Sequence, residues 1–416
     1  MISKLKPKSE FSRNIATLMT GSAIAQSIPI LISPILTRVY SPEEFGTFAL
    51  YIAFISIGAS IVTIKYEAAI LLPKKEENAK YLVYISSMFA LFFSLVFFII
   101  YIFFKVEINK LFNLTNNIFY FVPFGMFLFA VYAILLQWAN RKKEYKNMNI
   151  NRLIQSSSIS FFQILIGIFN KVSFGLILSD VIGRLLAVLL IINRVLKQVK
   201  LEFFSFKKTI SLIKRYKKFP KYEMPASVLN ITSYELVYII IPIYFSSITA
   251  GLYFLVFRVL MTPISFIGTS ITEVFKNRAI EDLNNYNSCR LIYKKIFLLL
   301  FAIGIIPIII ILVWGQVIFA FIFGEEWKEA GLYAQILAPL ALLRLISSPL
   351  SYLFIIKEKL ELDLLLQFIF FILIIFSLVI GIFYNNINLL ITLLSLSGCL
   401  FYILQIIISY RLSNGR

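Results

Sequence analysis

The best candidates for binding or ion chemistry in this chain are charged side chains inside long apolar stretches. They are Lys65, Glu67, Asp180, Arg184, Glu235, Arg258 and Arg344. A charge at the centre of a lipid bilayer costs at least about 2.5–3.5 kcal/mol. If these stretches cross a membrane, each charge needs an ion-pair partner, a water-filled cavity or a route to the interface.

Two arginines are the main candidates for ligand binding. A guanidinium stays charged at all physiological pH values and presents a flat fork of donors that suits phosphate oxygens. We therefore predict that Arg258 and Arg344 bind an anionic headgroup in a wet cavity. The alternative for Arg258 is a buried ion pair with Glu235, which also lies in the middle of an apolar segment.

Other charges have structural interpretations. Asp180 and Arg184 are four residues apart, so they share a helix face and are expected to pair with each other. Lys65 lies about two turns from its predicted helix end and is expected to reach the interface. Glu67 points to a different face of the same predicted helix, which excludes a close helical pair with Lys65.

Several classes of chemistry are excluded. Histidine is absent from the sequence, which removes histidine acid–base catalysis and histidine metal ligation. The sequence also has no P-loop, no G-x-S-x-G and no cysteine spacing typical of a metal site. We predict no catalytic residue, no metal site, no cofactor and no disulfide between Cys289 and Cys399.

Composition and apolar runs define the elements that carry these charges. Hydrophobic residues make up 60% of the chain and charged residues 15%, against roughly 25% charged in an average soluble domain. Continuous apolar runs of about 17–25 residues have the length of transmembrane helices and lack the alternation of barrel strands. They predict an all-α polytopic membrane protein with about twelve transmembrane helices, at 15–37, 46–72, 82–104, 118–138, 151–169, 174–193, 224–245, 250–274, 295–314, 331–355, 363–384 and 388–410.

Loop charges predict the orientation. Most of the 40 lysines and arginines fall in loops on one side of these helices, together with both ends of the chain. Basic loops stay in the cytoplasm, so both termini are expected there. The net charge of +19 is therefore a feature of topology, and no nucleic-acid partner is predicted.

A long basic segment divides the chain in two. We predict an N-terminal six-helix lobe over 1–193, a basic cytoplasmic linker over 194–223 and a C-terminal six-helix lobe over 224–416. The halves share a weak echo, in which Ser41, Gly46 and Leu50 match Ser246, Gly251 and Leu255 at a constant offset. Parallel repeats of this kind place a substrate pathway at their interface.

Three segments carry a family resemblance. Gly21-Ser-Ala-Ile-Ala-Gln26 through Pro34-Ile-Leu-Thr-Arg38 to Gly46, Gly251-Leu-Tyr-Phe-Leu-Val-Phe-Arg258 to Pro263, and Phe323-Gly-Glu-Glu-Trp327 to Gly331 with Pro339 and Arg344 resemble bacterial O-antigen and polysaccharide flippases. These belong to the MOP (multidrug/oligosaccharidyl-lipid/polysaccharide) superfamily, and the resemblance spans the whole chain.

The resemblance implies MATE-like lobes around a cationic cavity in the bacterial cytoplasmic membrane, working by alternating access. It implies an undecaprenyl-pyrophosphate-linked oligosaccharide as substrate, with Arg258, Arg38, Lys65 and Arg344 as pyrophosphate candidates. Membrane lipids, a polysaccharide polymerase and a chain-length regulator are the further partners implied. An ion gradient, of protons or sodium, would drive transport, with Glu235 and Glu67 as coupling candidates.

Two alternatives stay open. A multidrug exporter of the same architecture would favour carboxylates in its cavity, whereas the basic residues here are at least as numerous. A membrane-embedded polymerase or glycosyltransferase would need a large outer loop or an acidic catalytic motif, and the sequence has neither.

Overall fold

The chain is helical throughout the part that the structure describes. The computed structural model describes residues 10–112, 118–170, 174–199 and 205–414, and no strand occurs among them. Twelve segments are long and apolar enough to cross a membrane, which confirms the predicted all-α polytopic fold. The helices are α1 Glu10–Val39, α2 Pro42–Val62, α3 Glu76–Phe103, α4 Lys105–Leu111, α5 Phe121–Arg141, α6 Tyr145–Asn170, α7 Gly175–Val199, α8 Phe206–Arg215, α9 Met224–Tyr244, α10 Ser247–Tyr286, α11 Arg290–Phe323, α12 Lys328–Leu350, α13 Leu353–Ile356, α14 Leu360–Phe383 and α15 Ile387–Leu412.

The helices form two compact units. The first unit comprises 1–40 and 47–243, and the second comprises 41–46 and 244–416. Both α8, from the predicted linker, and most of α9, from the predicted second lobe, therefore belong to the first unit. The division into two six-helix lobes stays a prediction.

In the first unit, α6 packs between α1 and α7, α7 packs on α5, and α5 packs on α3. Trp138 of α5 is fully buried there and donates a hydrogen bond from its indole to Gln198, 2.8 Å away. A buried indole needs such a partner, and this one ties α5 to the end of α7.

In the second unit, α12 is central and packs against α10, α11 and α15. Small residues allow this close packing, as is common between membrane helices. A Cβ atom at Gly331 of α12 would lie 2.4 Å from the Cα atom of Gln316 in α11. The fully buried Trp327 precedes α12 and meets Phe45 edge to face, with 4.9 Å between ring centroids.

A reciprocal helix crossing joins the starts of α2 and α10 within the second unit. A Cβ atom at Gly46 would lie 1.8 Å from the carbonyl oxygen of Ser247, and one at Gly251 would lie 1.8 Å from that of Pro42. Only glycine at both positions permits this approach of the two backbones. Gly46 and Gly251 are the paired glycines of the sequence echo, so the echo marks a real contact.

The serines of the same echo cap the two helices. The Ser41 hydroxyl accepts a hydrogen bond from the amide of Glu44, and the Glu44 carboxylate accepts one from the amide of Ser41. Ser246 likewise accepts from the amide of Thr249 at 3.1 Å. Each cap satisfies a backbone donor that a helix start leaves open.

The second predicted span, 46–72, is wrong as a single helix. α2 ends at Val62, and Tyr66–Leu71 form a short 3₁₀ helix. Between them, Ile64 and Lys65 have positive φ values of 48° and 59°, a conformation that a β-branched residue adopts rarely. An apolar run indicates burial and not the continuity of a helix, so the break cannot be recognised from hydrophobicity.

Cys289 and Cys399 are both free in the structure. Cys289 lies between α10 and α11, where burial raises the pKa of its thiol.

Substitution of Gly251 by alanine should destabilise the protein, because the new Cβ atom would meet the Pro42 carbonyl. Overpacking of this kind costs typically 1–3 kcal/mol. We expect the midpoint of thermal unfolding in detergent to fall by about 5 °C. Gly268→Ala is the matched control on α10, since a Cβ atom there would meet only a serine side chain, at 3.0 Å. Equal midpoints for the two variants would contradict the crossing.

Candidate functional site

Arg258 is a charged residue in the apolar part of α10. It lies on α10, half-buried. Among the described residues of its unit, its guanidinium forms no hydrogen bond and no ion pair. A desolvated guanidinium is costly unless it is compensated, so this group is suited to meet an anionic ligand.

Arg344 lies on α12, which packs against α10. Its guanidinium carbon is 5.6 Å from the centroid of the Phe257 ring, and it is within electrostatic range of the buried Tyr253. A cation over an aromatic face is partly stabilised by the ring. The two predicted arginines therefore belong to one region of the second unit, with Phe257 beside both.

The first unit contains the pair Lys65 and Glu67. Their charged atoms are 3.8 Å apart, and both side chains are largely buried. The expectation that these two residues could not pair is wrong, because it assumed a continuous helix. The left-handed backbone at Lys65 turns its side chain towards Glu67, while Oε2 of Glu67 has no hydrogen-bond partner among the described residues.

Glu235 lies half-buried on α9 in the first unit. Its carboxylate forms a hydrogen bond with the hydroxyl of Ser56 on α2. Its Oε2 atom is buried and has no hydrogen-bond partner within the described part of the chain. Glu235 and Glu67 therefore share one property, a carboxylate oxygen with free acceptor capacity away from solvent.

Arg38 is exposed in the last turn of α1. It lies in the first unit with Lys65, whereas Arg258 and Arg344 lie in the second unit. The structure thus places the four predicted pyrophosphate ligands two in each unit.

The predicted pair of Asp180 and Arg184 is confirmed. Nε of Arg184 is 2.7 Å from Oδ2 of Asp180, and the side chains are 12% and 3% exposed. Tyr51 donates a further hydrogen bond to this carboxylate, and the ring of Phe129 lies 4.9 Å below the guanidinium. The pair is internally satisfied, which indicates a structural role.

Sequence reasoning missed a polar stripe on α6. Arg152 donates a hydrogen bond to Ser22, and Ser156 donates one to the carbonyl of Ala25 on α1. Gln163, on the same face, is buried, and its main-chain carbonyl accepts a hydrogen bond from the hydroxyl of Tyr40 at 2.8 Å. Polar residues at three- and four-residue spacing were visible in the sequence, but Arg152 lies too close to the predicted start of its span to stand out.

No group of metal-ligating side chains occurs among the residues that the structure describes. The chemistry available at these sites is therefore that of guanidinium and ammonium donors and of carboxylate acceptors.

Comparisons with known proteins agree on the class of the chain. The model of a family described as "Polysaccharide biosynthesis protein" matches residues 35–332. No curated protein sequence matches the chain significantly.

Solved structures share the fold. The lipid II flippase MurJ, in an inward closed conformation, is 15% identical with a TM-score of 0.72, over 93% of this chain and 87% of that chain. An inward-facing multidrug resistance MATE transporter of the MOP superfamily is 14% identical with a TM-score of 0.69, over 94% and 95%. A MOP superfamily transporter from Pyrococcus furiosus, described by a binding pocket of reversed polarity, is 14% identical with a TM-score of 0.57, over 97% and 96%. At these identities the likeness shows the fold alone.

Replacement of Arg184 by leucine should destabilise the protein strongly, because Asp180 would be left as an unpaired buried charge. Breaking a buried pair costs about 3–5 kcal/mol. The double variant Asp180→Leu/Arg184→Leu should recover much of that loss, as measured by thermal unfolding of purified protein.

Arg194→Leu is the control on the same helix, since Arg194 is 54% exposed in its pair with Glu144 and such pairs contribute little. If the double variant is no more stable than Arg184→Leu, the loss of stability does not come from leaving Asp180 unpaired.

Proposed function

We propose that this chain, which belongs to the polysaccharide biosynthesis protein family within the MOP superfamily, carries undecaprenyl-pyrophosphate-linked O-antigen or polysaccharide repeat units across the bacterial cytoplasmic membrane. Its family and its fold make it a multi-pass membrane flippase or transporter. The O-antigen substrate, the alternating-access cycle and the residue roles belong to the proposal. None of the residues has a catalytic role in it.

The observation that carries the proposal is the guanidinium of Arg258, which makes no hydrogen bond or ion pair with the residues described in its unit. In a soluble protein such a group would be hydrated, but on a membrane-spanning helix its solvation must come from protein, from trapped water or from a ligand. A pyrophosphate offers several anionic oxygens, and a guanidinium binds two of them at once. Arg258 is therefore the proposed primary ligand of the pyrophosphate.

The other three basic residues would contact the substrate in different ways. Arg344 lies over the ring of Phe257, on a helix that packs against α10, and would add a second positive charge to this region of the second unit. Lys65 is already paired with Glu67, so it would bind the substrate only by exchanging that partner. Arg38 is exposed and would meet the headgroup early, before the bilayer desolvates it.

Glu235 and Glu67 are the proposed sites for the coupling ion. Each has a buried oxygen without a hydrogen-bond partner among the described residues, which a proton or a sodium ion could occupy. Both carboxylates belong to the first unit, whereas Arg258 and Arg344 belong to the second.

The fold also supports a second candidate, an ion-coupled multidrug exporter, because MATE transporters share it. A cationic drug would be repelled by Arg258 and Arg344, whereas an anionic lipid would be attracted. After translocation the proposed product would pass to a polysaccharide polymerase and a chain-length regulator. Resistance of expressing cells to cationic drugs, with unchanged surface polysaccharide on deletion, would favour the exporter.

Arg258→Ala should abolish surface polysaccharide while the protein still reaches the membrane. Loss of a charge-assisted hydrogen bond costs about 1.5–3 kcal/mol, so translocation should slow at least about 10-fold. The measurement is the amount of surface polysaccharide, with lipid-linked oligosaccharide accumulating on the cytoplasmic leaflet. Arg258→Lys should retain part of the activity, because it keeps the charge and loses the fork.

One further variant sharpens this test. Arg278→Ala is the control on α10, since Arg278 is exposed and paired with Glu281 and Asp282. Normal polysaccharide in Arg258→Ala would exclude Arg258 as a ligand.

Both termini are proposed to face the cytoplasm. A green fluorescent protein fused after residue 414 should fluoresce, and alkaline phosphatase fused after Asn385, in the turn between α14 and α15, should be active. The reverse pattern would overturn the orientation that the basic loops predict.

A further inference from the structure

An apolar groove on the second unit ends in two free cations. The first turns of α11 and the last turns of α15 enclose about 450 Å³, lined by Tyr293, Lys294, Phe297, Leu298, Ile406, Ile407, Tyr410 and Arg411. The lining includes no carboxylate. It is a different part of the molecule from the region around Arg258.

The floor of the groove is held by hydrogen bonds between the two helices. The hydroxyl of Tyr293 donates to the carbonyl of Ile406 at 3.0 Å and lies 2.8 Å from the hydroxyl of Ser409. The amide of Cys289 donates to the carbonyl of Ser413 at 3.0 Å. These contacts fix the separation of α11 and α15, so the groove is preformed.

The walls are apolar and open to the surroundings. Leu298 is 63% exposed and Ile407 is 44% exposed. Such a surface faces hydrocarbon in a bilayer.

The mouth is cationic. Lys294 and Arg411 are exposed, and neither side chain forms an ion pair or a hydrogen bond with any residue that the structure describes. Arg290 stands beside them, with its Nε 2.6 Å from the hydroxyl of Tyr410. Because the groove spans the first turns of α11 and the last turns of α15, these cations lie at the membrane surface, where basic pockets between helices bind lipid headgroups.

We propose that this groove is a binding site for an anionic phospholipid of the bilayer, with an acyl chain along Phe297, Leu298 and Ile407 and the phosphate between Lys294 and Arg411. The apolar walls and the unpaired cations match the two ends of such a molecule. The site is independent of the proposed transport substrate, and its test does not need transport.

The test is native mass spectrometry of the full-length protein titrated with palmitoyl-oleoyl phosphatidylglycerol. In Lys294→Gln/Arg411→Gln the dissociation constant should rise about 10-fold or more, since each basic residue contributes to headgroup attraction. The matched control is Lys295→Gln/Lys359→Gln, which removes two exposed charges from the second unit outside the groove. Its dissociation constant should change less than 2-fold.

A variant that fills the groove distinguishes the contribution of the acyl chain to lipid binding from that of the headgroup. Leu298→Trp should weaken binding of both phosphatidylglycerol and phosphatidylcholine, whereas the charge variant should weaken only phosphatidylglycerol. Equal losses in the two charge variants would overturn the site in favour of diffuse surface charge. Undecaprenyl phosphate binding at least 10-fold more tightly than phosphatidylglycerol, with the same dependence on Lys294 and Arg411, would assign the groove to the carrier lipid instead.

Discussion

The absence of water from the bilayer core is the constraint on which this structure depends. Every charge placed there must find its counterpart in the protein, in a cavity or in a ligand. Asp180 and Arg184 meet this demand with each other, with Tyr51 and with Phe129. Arg258 does not meet it within the described part of its unit. A charge with partners, as in the Asp180–Arg184 pair, is therefore interpreted as structural, and a charge without a partner among the described residues, as at Arg258, as a candidate binding group.

The sequence predicted the fold because hydrophobicity and length are local properties. Twelve spans, the free cysteines and the Asp180–Arg184 pair all follow from composition or from spacing on one helix. The break after Val62 does not, because an apolar run looks the same whether the backbone continues as a helix or turns at Ile64 and Lys65. Lys65 and Glu67 were consequently assigned to different faces, although they pair.

The candidate site was only partly predictable for a related reason. A sequence shows that Arg258 and Arg344 lie in apolar helices, but it does not show which of them has a neighbour. Phe257, adjacent in sequence to Arg258, turns out to stack with Arg344 on another helix, a relation set by packing alone. Arg152 is the second residue of the predicted span 151–169, whereas α6 begins at Tyr145, so Arg152 lies about two turns inside the helix.

The crossing between the starts of α2 and α10, within the second unit, is reciprocal. Each glycine accommodates the carbonyl oxygen that lies four residues before the other, and each helix starts from a capping serine. The contact is isologous in form, as in a two-fold dimer where one surface patch meets its own copy. In a symmetric dimer of half-length chains, a single glycine in the sequence would supply both sides of such a crossing. In this chain the two positions are separate residues, so a substitution at either glycine alone would bring a Cβ atom against a backbone carbonyl and disturb the crossing.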